Sequence, residues 1–318
     1  AQDTAPAPDA LARLAGALET APSVAVAAPK LVSWDDPSRI VSLGVTMTHT
    51  GRTVGLADGE LDQGQHDAGE DVLGTDIRGV LVRSQVWSAL GGIDPGLVGA
   101  DEGLDLGVRA RLAGGRVALA PTALVAVAGD GVAGAPTGRT AGARGRRQYA
   151  SRKAQLHRRL VYAPGAAVLL HWLALLPLAL WRTLGHLVAK NPGRIGPEWA
   201  ASFSVLVGVA AVVRARRLIR RNRTASWLSL AQLRIGGRDL RERLEDEADA
   251  AAAPREELRF FSGGAWVVLG ALATSVLAFG ALLAWPVLGG GALAPLRSSV
   301  IALWTDAAYG PRALGWDT

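Results

Sequence analysis

Leu104-Asp105-Leu106-Gly107-Val108-Arg109-Ala110-Arg111-Leu112-Ala113, then Gly114-Gly115, then Arg116-Val117-Ala118-Leu119, is the stretch that decides the fold class. Leu104, Val108 and Leu112 recur at helical spacing, so one face of a helix is apolar. The glycine pair ends that helix, and the short apolar run after it predicts a strand stopped by Pro121. The same alternation runs toward the N-terminus. Asp9–Thr20 carries Leu11, Leu14 and Leu18 at helical spacing, and Ser23–Val32 reads as a strand after the Pro22 turn. Gly79–Val82 predicts a buried strand that leads into a helix, Ser84–Leu90, closed by Gly91-Gly92. Helices alternating with strands in this way predict an α/β sandwich with a mostly parallel sheet. Gly129–Gly142, rich in Gly, Ala and Pro, predicts a linker.

The composition separates this head from the rest of the chain. There are 318 residues, of which 49% are hydrophobic and only 19% charged, with a mean hydropathy of +0.22. That excludes a disordered chain and is more apolar than an ordinary soluble domain. With no cysteine, disulfide scaffolds, thiolate zinc sites and cysteine nucleophiles are excluded. The net charge of +6 is unevenly placed. Residues 1–142 hold 10 basic and 17 acidic side chains, residues 143–261 hold 22 and 9, and residues 262–318 hold two of each. An acidic head on a basic, apolar remainder predicts a soluble domain joined to a membrane part. Nucleic-acid binding does not fit, because the arginines flank apolar segments and lack interleaved aromatics.

Three segments carry the membrane expectation. Leu160–Trp181 is 22 residues without formal charge apart from His171, long enough to cross roughly 30 Å of hydrocarbon. Trp199–Val213 is apolar but has 15 residues, a short span, a re-entrant segment or an interfacial helix. Trp266–Leu288 lies in a stretch with no charge between Arg259 and Arg297, with Trp266 and Trp285 near its ends. Arginine clusters at 144–159 and 214–223 place both flanks on the cytoplasmic side, as topology determinants. The expected organisation is a domain with its linker over 1–142, a basic juxtamembrane segment over 143–159 and two membrane segments over 160–213. A basic cytoplasmic segment over 214–261, a transmembrane helix within 262–288 and an extracytoplasmic stretch over 289–318 complete it. The opening Ala-Gln-Asp shows no cleavable signal, and the chain stops at Gly-Trp-Asp-Thr, so an interior fragment of a longer protein is expected.

The acids of the head are the candidates for chemistry. Asp3 stands before a Pro-x-Pro turn, either as a turn residue or as a ligand for a hard divalent cation that also binds substrate phosphates. Asp101, Glu102 and Asp105 stand at the start of the helix containing Leu104. They either cap the helix and complement its dipole or supply a general base. Glu60–Asp67 is a polar loop, solvated or in contact with sugar hydroxyls.

In order, these elements resemble the second half of a family 2 glycosyltransferase, of the large membrane-bound type found in actinobacteria. Gln2-Asp3-Thr4-Ala5-Pro6 resembles the end of that family's donor and metal motif, and Ala28-Pro29-Lys30-Leu31 its Gly-Pro-Lys-Leu strand. Asp76-Ile77-Arg78-Gly79-Val80-Leu81-Val82-Arg83 through Gly91-Gly92-Ile93-Asp94 is similar to its acceptor-side signature. Asp101-Glu102-Gly103-Leu104-Asp105-Leu106-Gly107-Val108-Arg109 through Ala120-Pro121 is similar to Glu-Asp-Val-Asp-Leu-x-x-Arg … Val-Pro. The resemblance covers residues 1–128. It implies the C-terminal half of a GT-A (Rossmann-like) domain followed by transmembrane helices. It also implies a nucleotide-sugar donor, a divalent metal (Mg²⁺ or Mn²⁺) and an inverting displacement. Asp3 matches the metal- and cofactor-binding Asp. Aligned on Arg109, the family's catalytic Asp falls on Gly103, so either Asp101 or Glu102 takes over as the base or this branch shifts it. The family's frequent His after the Val-Pro strand has no counterpart in Val125–Ala128.

The expected activity is transfer of a sugar to a cell-envelope glycan or lipid-linked acceptor at the cytoplasmic face, with membrane lipids as further partners. Two other classes compete: a catalytically inactive membrane scaffold, and a transporter subunit with a soluble domain. Against the transporter, the expected spans contain no Asp, Glu, Lys or Arg.

Overall fold

The computed structural model describes residues 3–48, 51–69, 71–97, 99–128, 141–236 and 301. The chain divides into two units, Ala1–Ala253 and Pro254–Thr318. The elements of the first unit, in order, are β1 (Thr4–Pro6), α1 (Ala10–Thr20), β2 (Val24–Ser33), β3 (Ile40–Ser42), β4 (Val45–Met47) and β5 (Thr53–Gly55). They continue with β6 (Leu81–Val82), α2 (Ser84–Leu90), α3 (Glu102–Leu112) and β7 (Arg116–Val127). The helices α4 (Ala141–Tyr162), α5 (Ala167–Leu173), α6 (Leu175–Val188), α7 (Ile195–Val207) and α8 (Val209–Asn222) follow.

β2 is the centre of the sheet because Val24–Val32 is buried throughout, as a strand covered on both faces must be. Its long partner is β7, in parallel. The other edge of β2 is shared, antiparallel, by β6 near its start and β3 near its end. β1 closes the far side by pairing antiparallel with the end of β7. The sheet is therefore mixed, and the mostly parallel expectation is corrected: one parallel pair is flanked by short antiparallel strands. Pro121 does not stop β7. The register jumps from Pro29↔Ala120 to Lys30↔Leu124, so Pro121 rides in a bulge where no ladder donor is required, and the strand runs on.

α2 spans the expected residues and ends on Gly91 in the left-handed region, with the Gly91 and Gly92 amides closing on Ser88 and Trp87. The seating of α3 rests on glycine. Gly103 and Gly107 lie one turn apart and face the backbone of 73–77. A Cβ on Gly107 would lie 2.5 Å from the Leu73 carbonyl oxygen, and one on Gly74 would lie 2.5 Å from the Leu104 Cα. Inside α3, buried Asp105 accepts from Arg109 Nε at 2.6 Å and from the Tyr162 hydroxyl at 2.6 Å. Arg109 also donates to the Leu90 carbonyl at 2.8 Å, so one carboxylate ties α2, α3 and α4 together. Burial and the Asp105 charge raise the Tyr162 hydroxyl well above its ordinary pKa, so it stays a donor.

The largest core joins the head to the helical layer: Leu73, Leu104, Val108 and Leu112 pack with Leu156, Leu160, Leu175, Val205, Val212 and Ile219. This changes the picture of residues 160–213. Leu160–Trp181 is not one helix. α4 ends at Tyr162, Pro164-Gly165 interrupts the chain, and α5 and α6 meet at a 46° bend at Ala174. Pro177 accounts for the bend, because it brings no N–H to the Leu173 carbonyl four residues earlier. α7 and α8 are likewise bent, by 66° at Gly208. Among the described residues no single helix is long and apolar enough to cross a membrane, although these two bent pairs meet that length and composition together. Residues 262–288 and 289–318 lie outside the described residues apart from Ile301, as do most of 129–142 and 237–261.

The arginine clusters are also more than flanking charge. Arg158 is fully buried, and Arg152 nearly so. Arg216 donates to the carbonyls of Leu160, Val161 and Ala163 at 2.7–2.8 Å, a cation capping the C-terminus of α4.

His157 of α4 and Asp94 meet at 2.9 Å in the interior, and Asp94 also accepts the Gly96 amide at 2.8 Å. Burial opposes the charge on Asp94. The hydrogen bonds from His157 and Gly96, with the charges of His157 and Arg109, outweigh it and hold the carboxyl below its ordinary value of 3.8. A depressed folded-state pKa adds stability above the unfolded value and loses it as pH falls through the folded one. Urea unfolding is therefore expected to show wild-type stability falling as pH drops below about 4, with a shallower fall in Asp94→Asn. Parallel curves would contradict this role.

Candidate functional site

Two cavities meet at the start of α3. The smaller, of about 230 Å³, is lined by Ser42 and Val45, by Thr53 and Asp58, by Thr75–Ile77 and by Gly99–Leu104. Four carboxylates face it: Asp58, Asp76, Asp101 and Glu102. The larger, of about 620 Å³, is lined by α4, by residues from α6 and α7, and by Arg52 and Thr53. Asp101 and Thr53 line both.

Asp101 is held in a particular way. Its backbone is left-handed (φ 61°), a conformation that Asp and Asn adopt more readily than other side-chain-bearing residues. It precedes α3 but makes no side-chain cap. Its carboxylate instead accepts from Arg158 Nη2 at 2.8 Å, and the same nitrogen reaches Thr53 Oγ1 at 2.7 Å and the Gly51 carbonyl at 3.0 Å. Glu102 accepts the Gly99 amide at 2.9 Å and so braces the loop before the helix. Asp105, the third acid at this helix start, is consumed by the Arg109 and Tyr162 network and lines neither cavity.

Gly103, on which the resemblance places the family's catalytic Asp, has no room for a side chain. A Cβ there would lie 2.2 Å from the Thr75 carbonyl oxygen and 2.8 Å from the Ile77 nitrogen. The backbone of 75–77 occupies the space that a side chain would need.

Asp3 sits at the sheet edge, where its carbonyl accepts the Ala128 amide at 2.8 Å. Its carboxylate, about a third exposed, lies 3.6 Å from Arg78 Nη1. Arg78 is buried and forks onto Asp76 with bonds of 3.0 and 3.1 Å. Asp3 is thereby linked through Arg78 to Asp76, which lines the carboxylate cleft with Asp101 and Glu102. Among the described residues no group of three or more His, Cys, Asp or Glu is placed to hold a metal. Among the described residues the Asp3 carboxylate stands beside Arg78 and belongs to no such group.

The polar loop is not simply solvated. Lys30, buried on β2, donates to both oxygens of Asp62 at 2.9 Å and to Asp67 at 2.6 Å. Burial works against the Lys30 charge, but the bonds to Asp67 and Asp62 prevail and its pKa is raised. The loop is pinned to the sheet by one lysine.

Arg78, Arg158 and Tyr162 escaped the candidates chosen from sequence. The signal for Arg158 was present as spacing: Gln148, Arg152, Gln155 and Arg158 recur every three or four residues, a polar stripe along one face of α4.

A family model described as glycosyltransferase like family 2 matches residues 2–163, just over half of the chain. The match ends one residue past α4 and so includes Arg158. No curated protein and no solved structure matches the chain.

Proposed function

Since the chain belongs to the glycosyltransferase-like family 2, we propose that it is a membrane-bound inverting glycosyltransferase. In this reading it moves a sugar from a nucleotide-sugar to a cell-envelope glycan or lipid-linked acceptor at the cytoplasmic face. The observation that carries the proposal is Asp101, a carboxylate shared by two cavities and fixed by a buried arginine.

Asp101 acts as general base. It takes the proton from an acceptor hydroxyl as that oxygen bonds to the anomeric carbon, while the bond from that carbon to the diphosphate oxygen breaks and its electrons leave with the nucleotide diphosphate. Arg158 holds the carboxylate in place, and Glu102 keeps the preceding loop in register. A divalent metal, held by Asp3 together with the donor's phosphates, would supply charge neutralisation of the departing diphosphate. Arg78 orients Asp3 and Asp76 toward each other.

Membrane attachment is supported by the apolar side chains left exposed on the helical layer, among them Leu170, Leu173, Trp181, Phe203 and Val207. It is also supported by the charge-free segment 266–288.

The test uses membranes containing the full-length protein and a panel of nucleotide-sugars, with and without Mg²⁺ or Mn²⁺. Nucleotide release with one donor is expected, falling about 100-fold or more in Asp3→Ala. Release that does not depend on Asp3 would remove the metal role. No turnover with any donor, alongside normal membrane insertion, would favour an inactive scaffold.

A further inference from the structure

The larger cavity has a strongly basic lining. Six arginines line it, Arg52, Arg147, Arg152, Arg158, Arg182 and Arg194, against two carboxylates, Asp101 and Glu198. The carboxylates are already engaged. Glu198, 4% exposed, accepts from Arg152 at 2.7 Å and from Arg182 at 3.1 Å, and Asp101 accepts from Arg158. The lining therefore carries a clear excess of positive charge.

Arg158 sharpens the point. It is 0% exposed, yet its Nε and Nη1 have no hydrogen-bond partner. A buried guanidinium with open donors is costly unless something accepts from it. Gln148, Ser151 and Gln155 add neutral donors along the same face of α4. Forked, charged donors around a cavity of about 620 Å³ match a tetrahedral phosphate oxyanion, which accepts several charge-assisted bonds at once.

We propose that this cavity is a binding site for a phosphate group carried by the acceptor. That the phosphate belongs to an acceptor rests on the glycosyltransferase reading, whereas the phosphate site itself rests on the arginine cavity. The side of the fold supports the first. Asp3, Arg78 and Asp76 mark the donor edge, and none of them lines this cavity, whereas Asp101 stands between it and the cleft that Asp76 lines. A phosphate held among the arginines places the rest of the acceptor against Asp101. The phosphate belongs either to a lipid headgroup or to a soluble phosphorylated saccharide. α6 suits the lipid, since it carries Arg182 and His186 into the cavity while Leu180, Trp181 and Leu187 stay exposed.

The experiment measures binding of inorganic pyrophosphate to the full-length protein in detergent by calorimetry. Flotation runs beside it, with phosphatidylcholine vesicles made with and without phosphatidic acid. The variants are Arg52→Gln with Arg194→Gln, two exposed rim positions whose loss spares the fold, and Arg158→Gln as the deeper probe. Pyrophosphate binding that weakens with salt, and weakens about tenfold in the rim double variant, is expected. Flotation that requires phosphatidic acid and is lost in the same variant assigns a lipid source; pyrophosphate binding without that dependence assigns a soluble one. No pyrophosphate binding, or equal affinity in the rim variant, overturns the site. UDP binding lost in the rim variant also overturns it, by giving the arginines to the donor. If the variants lose pyrophosphate while no donor is ever turned over, the phosphate site stands and the glycosyltransferase reading falls.

Discussion

Asp101→Asn is expected to lower sugar transfer by about 10²–10⁴-fold, the range for removing a positioned general base, while the protein stays folded. The substitution is close to silent for the backbone, because Asn tolerates the left-handed conformation at φ 61° as Asp does. Arg158 keeps Thr53 and the Gly51 carbonyl as partners, so its position survives although its charge partner is gone. Glu102→Gln, in contrast, is expected to have a mild effect. Its bond from the Gly99 amide requires only an acceptor oxygen, which Gln retains. Steady-state rates of both variants, with melting temperatures measured beside them, decide between the two acids. Equal and mild losses would leave these residues only their positions at the start of α3 and remove the base assignment.

Gly103→Asp, which would restore the family's acid at its aligned position, is expected to destabilise the protein by about 4 kcal/mol or more and to restore nothing. A Cβ at 2.2 Å from the Thr75 carbonyl oxygen meets backbone, which cannot rotate aside. The added carboxylate would also be forced toward the Thr75 carbonyl oxygen, which repels it. Gly103→Ala isolates the steric part and is expected to cost about 3 kcal/mol. Chemical unfolding of both variants measures this. An alanine variant as stable as wild type would show that the backbone of 75–77 gives way, and would reopen position 103 for an acid.

Much of the head was legible in the sequence because its signals are local. The 3.6-residue recurrence of Leu104, Val108 and Leu112, the closing glycines after Leu90 and Leu112, and the apolar run Val24–Ala28 that opens β2 each report on a few neighbouring residues. β7 was misjudged at Pro121, because whether a proline ends a strand depends on the partner strand's register, and here the pairing with β2 skips over it. The helical layer was legible only in part, for a related reason. Apolar content over 160–213 predicted burial of some kind, but a bilayer and the face of α3 offer the same apolar environment to Leu160, Leu175 and Val205. Proline and glycine then chose the bends.

The candidate site divides in the same way. The sequence by itself determined which acids were available, Asp3, Asp101 and Glu102, and that position 103 held none. Only the tertiary structure decided what surrounds them. It showed that Asp105 is spent on Arg109 and Tyr162, and that Gly103 is bare because a neighbouring backbone fills its space. It also brought Arg158, 57 residues along the chain, onto Asp101. Residue types and periodicities are properties of short segments. Ion pairs, close backbone approach and unmet donors arise only between segments, after the chain has folded.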